Sequence, residues 1–359
     1  MTERVLLLAS HAVAEYDDVR MFTDLGYDIF APGGYEVPGT EGEGIRPPLP
    51  HAPAHPDLVA RLNETRAAFG DPGPLIDAGK ARLHDDIIDW ADVIICHHFP
   101  ERWIGGQWDR IAHKRVIWRT CGQSSPQLEQ YMFRLREQGM EIVRYSPAEE
   151  RHYSRTGTFA GQDALIRFGK YPDDYGPWIG DNLVVGNVTQ DMVGRGDACG
   201  LGFWLEATTG LPVLPAGQGS EQIGGVGILS YEGMLDYLRH LRVYLYTGTR
   251  PASYTLGLIE AMLSGVPVVT IGARDWGRGW GGEDLFEAHE IIPPSDAGSP
   301  EWAKVILQGV LSGQFGEEMS VWQRQRAIEL FGIETVGRQW LDLLGSPARA
   351  NVHQSVTAA

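Results

Sequence analysis

Apolar runs alternate with amphipathic segments along almost the whole chain. Residues 5–9 (VLLLA) form a first apolar run that stops at Ser10-His11. Residues 15–25 carry a helical period ended by Gly26, and 27–30 read as a second strand. Helical patterns over 57–69 and 80–90 precede a strand at 92–96, which runs into His97-His98. Residues 116–118 form a strand that opens into Arg119-Thr120-Cys121-Gly122-Gln123-Ser124. A helix over 128–138 and a strand at 141–143, ending at Arg144-Tyr145-Ser146-Pro147, complete the first half. Strand-then-helix order repeated in this way predicts an α/β fold with a doubly wound parallel sheet. Its functional loops lie at the carboxyl ends of the strands.

The pattern restarts at residue 181. A strand over 181–186, a Gly-rich turn at 193–196, a helix over 199–209 and a short strand at 211–214 lead to the turn Pro215-Ala216-Gly217-Gln218-Gly219. A helix over 231–241 feeds the strand 243–246, which stops at Thr247-Gly248-Thr249-Arg250-Pro251. An amphipathic segment then starts near Ser253, carries Glu260, ends at Ser264-Gly265 and yields to an apolar strand over 266–271. That is a βαβ unit. Small hydroxyl residues stand at the start of its helix, where free backbone N–H groups and the helix dipole favour an anion such as phosphate. Glu260 lies about two turns into the helix among Leu, Ile, Ala and Met, and a carboxylate there needs a partner. Further on come a glycine-rich loop (273–282), a segment over 283–288, a short apolar stretch at 291–294 and a helix over 301–311. Residues 321–330 and 335–344 read as closing helices anchored by Trp340 and Leu343-Leu344, and 346–359 as a loose tail.

Composition narrows the classes. A length of 359 residues suits two α/β domains, and the 43% hydrophobic fraction is ample for their cores. No apolar run is long enough to span a membrane, and the first residues are too short and wrongly flanked for a signal peptide. Cys96, Cys121 and Cys199 are few, odd in number and far apart. This predicts reduced thiols in a cytoplasmic setting, without metal-ligand spacing. The formal net charge of −17 argues against a general nucleic-acid binder. Residues 32–56, rich in Gly, Pro and His, are too long for a simple connector and read either as an acceptor-recognition flap or as a tolerated insertion.

The stretch 244–272 resembles the donor-nucleotide motif of GT-B glycosyltransferases, especially the retaining family 4, in which the pattern runs E-x-F-G-L-x-x-x-E-A-M-x-x-G-x-P-V-V. Tyr254 takes the aromatic position and Thr255-Leu256 the Gly-Leu pair. Glu260-Ala261-Met262 and Gly265-Val266-Pro267-Val268-Val269 follow in step. Ala252 stands where the first glutamate belongs. The resemblance covers most of 181–344, whereas the first half matches only in strand order and a few loop residues. It implies a GT-B fold, two Rossmann-like doubly wound parallel-sheet domains facing a central cleft. The acceptor side would occupy 1–175 and the donor side 176–330, with a closing helix at 331–345 packing back toward the first domain. It also implies that Glu260 holds the ribose hydroxyls and that backbone amides over Ser253-Tyr254-Thr255-Leu256 hold the diphosphate. Asn187 replaces the arginine usual after the first strand of the donor domain, and Arg195 loosely stands for the usual lysine. The diphosphate cations are then Arg195 first and Arg250 second, with Thr249 beside them.

Glycosyl transfer requires a stabilised leaving nucleotide diphosphate, an oxocarbenium-like centre and an oriented acceptor hydroxyl. No Asp-x-Asp constellation marks a metal-dependent site, so the expectation is a metal-independent enzyme with no cofactor. Its co-substrate is a nucleotide-diphosphate sugar, UDP rather than GDP. Histidines at strand ends suit acid/base work or sugar contacts. They are His11 after the first strand and the pair His97-His98 after the strand at 92–96, of which His98 is preferred. Glu15, a candidate catalytic acid, and Tyr16 and Asp17, candidate acceptor contacts, follow His11, and helix capping is the competing role for these acids. Segments 10–18 and 246–256 also look like those of phage and environmental glycosyltransferases, some of which modify hydroxymethylated DNA bases. A DNA glycosyltransferase working in a host cytoplasm therefore competes with a glycan or small-molecule enzyme. A basic face of Arg102, Arg115, Arg119, Arg134, Arg136 and Arg144, with Trp103, Trp108 and Trp118 for stacking, would serve it. For a glycan or small-molecule acceptor, Arg119 is a contact. The same nucleotide grip would also suit a GT-B nucleotide-sugar epimerase, and Ala252 would suit a non-catalytic nucleotide-sugar binder.

Overall fold

The computed structural model describes residues 3–9, 11–32, 55–69, 82–279, 281–292 and 296–345. Ser10, the greater part of the Gly-, Pro- and His-rich stretch at 32–56, Pro293-Pro294 and the tail at 346–359 lie outside the described residues. The chain divides into two compact units, the first holding the described residues up to Trp118 together with those from Gly337 onward, the second holding Arg119–Val336.

In the first unit, strands β1 (Arg4–Leu8), β2 (Asp28–Phe30), β3 (Val93–Cys96) and β4 (Arg115–Arg119, whose last residue belongs to the second unit) lie in the order β2-β1-β3-β4. Val5 pairs in parallel with Ile29 on one side and Val93 on the other, and Val93 with Arg115. Val5, Leu6, Leu7, Val93, Ile94 and Ile95 are all buried. Covered on both faces, such strands read as continuous apolar runs rather than alternating ones. The Ala12–Asp24 helix begins three residues earlier than its apolar period suggests, because His11 is its N-cap and accepts the Ala14 N–H through Nδ1. The last helix, Ile333–Leu344, crosses into this unit at Gly337. There Trp340 packs edge-on against Phe22, with ring centroids 5.2 Å apart. Arg115 donates to the Leu343 carbonyl at 2.9 Å and Tyr27 to that of Gly345, so otherwise open carbonyls at the helix end are satisfied.

In the second unit β5 (Glu141–Arg144) pairs in parallel with the short β6 (Ala164–Leu165). A separate four-stranded sheet has the order β10-β9-β8-β7, from β7 (Asn182–Gly186), β8 (Leu241–Tyr246), β9 (Val268–Ile271) and β10 (Asp296–Ala297). Val243, Leu245, Val268 and Val269 meet Leu258, Ile259 and Met262 of the Leu256–Ser264 helix in one buried core. Each such buried aliphatic side chain contributes roughly 1.5–3 kcal/mol.

Four expectations are corrected. Residues 211–214 form only isolated bridges, Val185 to Val213 and Val188 to Ala216; Pro212 and Pro215 have no N–H to donate to a ladder. Residues 147–155 form a helix where only a strand end was expected, started by Ser146 as N-cap and Pro147 at its first position. The glycine-rich loop opens with a short helix, Ala273–Trp276. The helix expected over 199–209 is broken by Gly200, whose φ of 66° separates a 3-10 turn from the Leu201–Ala207 helix.

Candidate functional site

The carboxyl ends of β7, β8 and β9 carry the loops at 187–190, 247–255 and 272, the edge at which parallel α/β sheets bind ligands. The helix after β8 starts at Leu256, not near Ser253, because Ser253 and Tyr254 are held elsewhere. Tyr145 accepts the Ser253 N–H on its hydroxyl at 2.6 Å and the Tyr254 hydroxyl on its carbonyl at 2.7 Å. The Ser253 carbonyl in turn accepts the Glu287 N–H at 3.0 Å. Thr255 is the N-cap in extended conformation, and its side chain makes no cap hydrogen bond. The first N–H groups of the helix thus lack a side-chain cap. At the other end Gly265, with φ 77°, returns its N–H to the Met262 carbonyl.

Glu260 is 5% exposed on this helix, and its Oε1 accepts a hydrogen bond of 2.7 Å from the Lys170 ammonium, itself 1% exposed. Lys170 is the partner that the apolar context of Glu260 demands. Ala252, in the place of the expected first glutamate, packs against the loop after β4. A Cβ added to Gly122 would lie 2.6 Å from the Ala252 Cβ, and Gly122 has φ 82°. Two small residues meet there, which is a physical reason for a glutamate to be absent.

The two expected cations lie on neighbouring loops. Thr247 donates to the Cys199 carbonyl at 2.6 Å, the Arg250 N–H to that of Ala198 at 2.8 Å, and the Thr249 hydroxyl is 3.9 Å from the Cys199 sulfur. Arg250 is half-buried, donates to the Asp275 carbonyl at 3.2 Å, and has no carboxylate ion-pair partner among the described residues. Burial pulls its pKa below the usual guanidinium value, with the Asp197 charge acting the other way. Arg195 ends the short Met192–Arg195 helix and is exposed. Asn187 is held internally: its amide donates to the Leu245 carbonyl at 2.6 Å and accepts from the Thr189 hydroxyl, tying β7 to β8. Tyr254 is a core aromatic, 5.0 Å from the Tyr145 ring and 5.4 Å from Phe331.

The first unit gathers the predicted histidines and acids at the ends of β1 and β3. His97 Nε2 is 3.1 Å from an Asp18 carboxylate oxygen, both side chains being almost fully buried. His98 lies parallel to His11 at 6.3 Å between centroids, and of the three imidazoles only His11 is exposed. Burial, then the charges of His97 and His11, pushes His98 down to about 3. It is therefore neutral at ordinary pH, a hydrogen-bond partner rather than a cation. Glu15, Tyr16 and Asp17 are buried on the Ala12–Asp24 helix, and the cap of that helix is His11.

No protein-family model matches this chain, and no curated protein matches it. Solved structures do. Sucrose-phosphate synthase from Thermosynechococcus elongatus is 13% identical over 95% of this chain and 98% of its own, with a TM-score of 0.64. Anabaena HepE, solved in complex with UDP-glucose, is 14% identical over 96% and 99%, with a TM-score of 0.63. A glycosyltransferase from Rickettsia africae is 13% identical over 95% and 97%, with a TM-score of 0.62. The fold is GT-B.

In this GT-B chain two of the arginines expected on a basic face are interior. Arg119 is fully buried, donates to the Arg167 carbonyl at 3.0 Å and stacks over Phe168. Arg144 makes two 2.7 Å hydrogen bonds to Glu129, and neither side chain has any exposure. Trp103 and Trp118 are core residues. Arg119 and Arg144 thus add nothing to the basic face expected for DNA, and the guanidinium of Arg119 is held inside rather than offered to an acceptor.

Sequence reasoning missed a buried polar network beneath the 119–125 loop. Glu149 accepts the Thr120 hydroxyl at 2.5 Å, and Thr120 accepts the Tyr145 N–H at 3.2 Å, which links Glu149 to the residue holding Ser253. Burial pushes Glu149 up to about 7, opposed by Arg144 and the Thr120 hydrogen bond and aided by Glu129. A carboxyl whose folded pKa lies above its ordinary value of 4.5 binds its proton more tightly in the folded state. The contribution of Glu149 to stability then falls as pH rises from about 4.5 to 7, by on the order of 3 kcal/mol, and levels off above that. Glu149→Gln is expected to flatten this slope and raise the melting temperature at pH 8 while leaving it nearly unchanged at pH 4.5. Melting curves of both proteins across this range check it, and parallel pH profiles would contradict it.

Proposed function

We propose that this chain is a glycosyltransferase that moves a sugar from a UDP-sugar to a hydroxyl acceptor with retention. One observation carries the reading. A carboxylate, Glu260, is kept on a helix whose uncapped N-terminus stands at the carboxyl edge of a parallel sheet, next to a loop whose arginine has no carboxylate partner among the described residues. Glu260 accepts the ribose hydroxyls. The N–H groups from Thr255 and Leu256 onward, with Arg250 and Arg195, take the diphosphate, Thr249 and Ser253 line the same loop, and the charge that develops on the leaving phosphate is met by dipole and cations. In the reaction the bond from the sugar's anomeric carbon to the β-phosphate oxygen breaks, a bond to the acceptor oxygen forms, and the acceptor gives up its proton. On the acceptor side, residues 1–175, His11 is the exposed acid/base group. The roles proposed beside it are a sugar contact for His98 as a neutral imidazole, catalysis for Glu15 and acceptor contacts for Tyr16 and Asp17. UDP is favoured by the UDP-glucose complex of the HepE neighbour. Three free cysteines fit a reducing, cytoplasmic setting.

The diphosphate grip gives a direct test. Arg250→Ala is expected to weaken UDP binding about tenfold, the size of one charge-assisted hydrogen bond, and to leave uridine binding unchanged. Calorimetric titration with both ligands measures this. Equal weakening for uridine and UDP, or none for UDP, would remove Arg250 from the diphosphate site.

A further inference from the structure

Lys170 belongs to no recognisable motif and lies 90 residues from Glu260 in sequence, yet its ammonium donates to the Glu260 carboxylate at 2.7 Å. Its placement is fixed from both sides. The Lys170 N–H donates to the Phe331 carbonyl at 2.8 Å, and its carbonyl accepts the Ile333 N–H at 2.9 Å, forming a parallel bridge at Gly332. That bridge pins the lysine backbone to the junction of the Gly316–Phe331 and Ile333–Leu344 helices. The preceding Gly169 is equally confined, since a Cβ there would lie 3.0 Å from Ile333 and 3.2 Å from Val336. With the backbone locked and the ammonium 1% exposed, the direction from which Glu260 is held is set by the fold.

We infer that Lys170 is the positioning residue of the donor site, keeping Glu260 ionised and its carboxylate turned to accept two ribose hydroxyls. This rests on the reading of Glu260 as the ribose contact. An ionised carboxylate accepts through about four lone-pair positions, the capacity that recognition of a diol draws on. Replacing the Lys170 cation by an apolar group favours the neutral form of a carboxyl this buried, which turns part of its acceptor capacity into a donor and loosens its orientation. A merely structural ion pair would stabilise the fold and leave recognition of the ribose untouched. The two roles therefore differ in what they do to ribose recognition.

The test is calorimetric titration of UDP and 2′-deoxy-UDP into the full chain and into Lys170→Met, Lys170→Arg, Glu260→Gln and the double variant Lys170→Met/Glu260→Gln, each checked for folding by circular dichroism. The wild type is expected to prefer UDP over 2′-deoxy-UDP. Lys170→Met should weaken UDP about tenfold and bring the ratio of the two affinities close to one. Lys170→Arg, which restores a cation, should recover part of that ratio, and the double variant should bind no more weakly than Glu260→Gln. If Lys170→Met does not fold, the double variant and Lys170→Arg carry the test, because neither sets the Glu260 carboxylate against an apolar side chain in place of the lysine. A folded Lys170→Met with wild-type discrimination, or a double variant markedly weaker than Glu260→Gln, overturns the role of Lys170 and leaves the donor site standing. A folded wild type that binds neither nucleotide overturns the donor reading itself.

Discussion

Glu260→Gln is expected to lower kcat/KM for the nucleotide-sugar donor by about 100-fold, or roughly 2.7 kcal/mol of transition-state stabilisation. Glutamine keeps the volume of Glu260 and can still accept the Lys170 hydrogen bond, but it loses the charge and part of the acceptor capacity that a ribose diol uses. Alanine is the poorer choice. It removes the carboxylate paired with the 1%-exposed Lys170 ammonium, and breaking a buried ion pair from one side costs about 3–5 kcal/mol of stability. Steady-state release of UDP from the donor, measured on protein shown to be folded, reads the effect directly. Turnover that survives the substitution contradicts the assignment of Glu260.

The largest effect on stability is expected at the Arg144–Glu129 pair. Glu129 accepts two hydrogen bonds of 2.7 Å from Arg144, one of 2.5 Å from Ser124 and one of 3.0 Å from the Ala160 N–H. Neither charged side chain has any solvent exposure. Glu129→Ala removes the carboxylate paired with the buried Arg144 guanidinium, at a cost of about 3–5 kcal/mol, or on the order of 10 °C in unfolding temperature for a unit of this size. Replacing both partners by apolar residues of similar volume should restore much of the loss, because the penalty lies in the orphaned charge. Calorimetric scans of the single and double variants check this. A single variant that melts with the wild type contradicts it.

The alternation of apolar strands and amphipathic helices was readable along the chain, because strands buried on both faces have no polar positions to blur them. Hence β1, β3, β4, β8 and β9 lie within a residue or two of where the pattern puts them. The failures are local and have physical causes. Pro212 and Pro215 deny residues 211–214 a ladder although their apolar character reads as a strand. Ser146-Pro147 opens a helix with a cap and an N1 proline, a signal present in the sequence but read as a strand's end. At the candidate site, the motif's local spacing marked Glu260, while the helix expected near Ser253 starts at Leu256. Their supports come from distant segments, and no spacing rule links Lys170 to Glu260, Asp18 to His97, or Tyr145 to Ser253. Asn187 and Arg119 show the converse case. Their positions in the pattern are those of ligand contacts, while their side chains are engaged with the protein's own backbone.

The central claim is that the chain transfers sugar from a nucleotide donor held at Glu260. Its most direct test is a panel of UDP- and GDP-sugars incubated with glycans, small alcohols and hydroxymethylated duplex DNA, with nucleotide release and acceptor mass followed together. The account predicts release of UDP matched by a one-sugar mass increase on one class of hydroxyl acceptor, with both signals lost in Glu260→Gln. Equal transfer by wild type and Glu260→Gln, or no release and no transfer from any donor by the folded wild type, would contradict it.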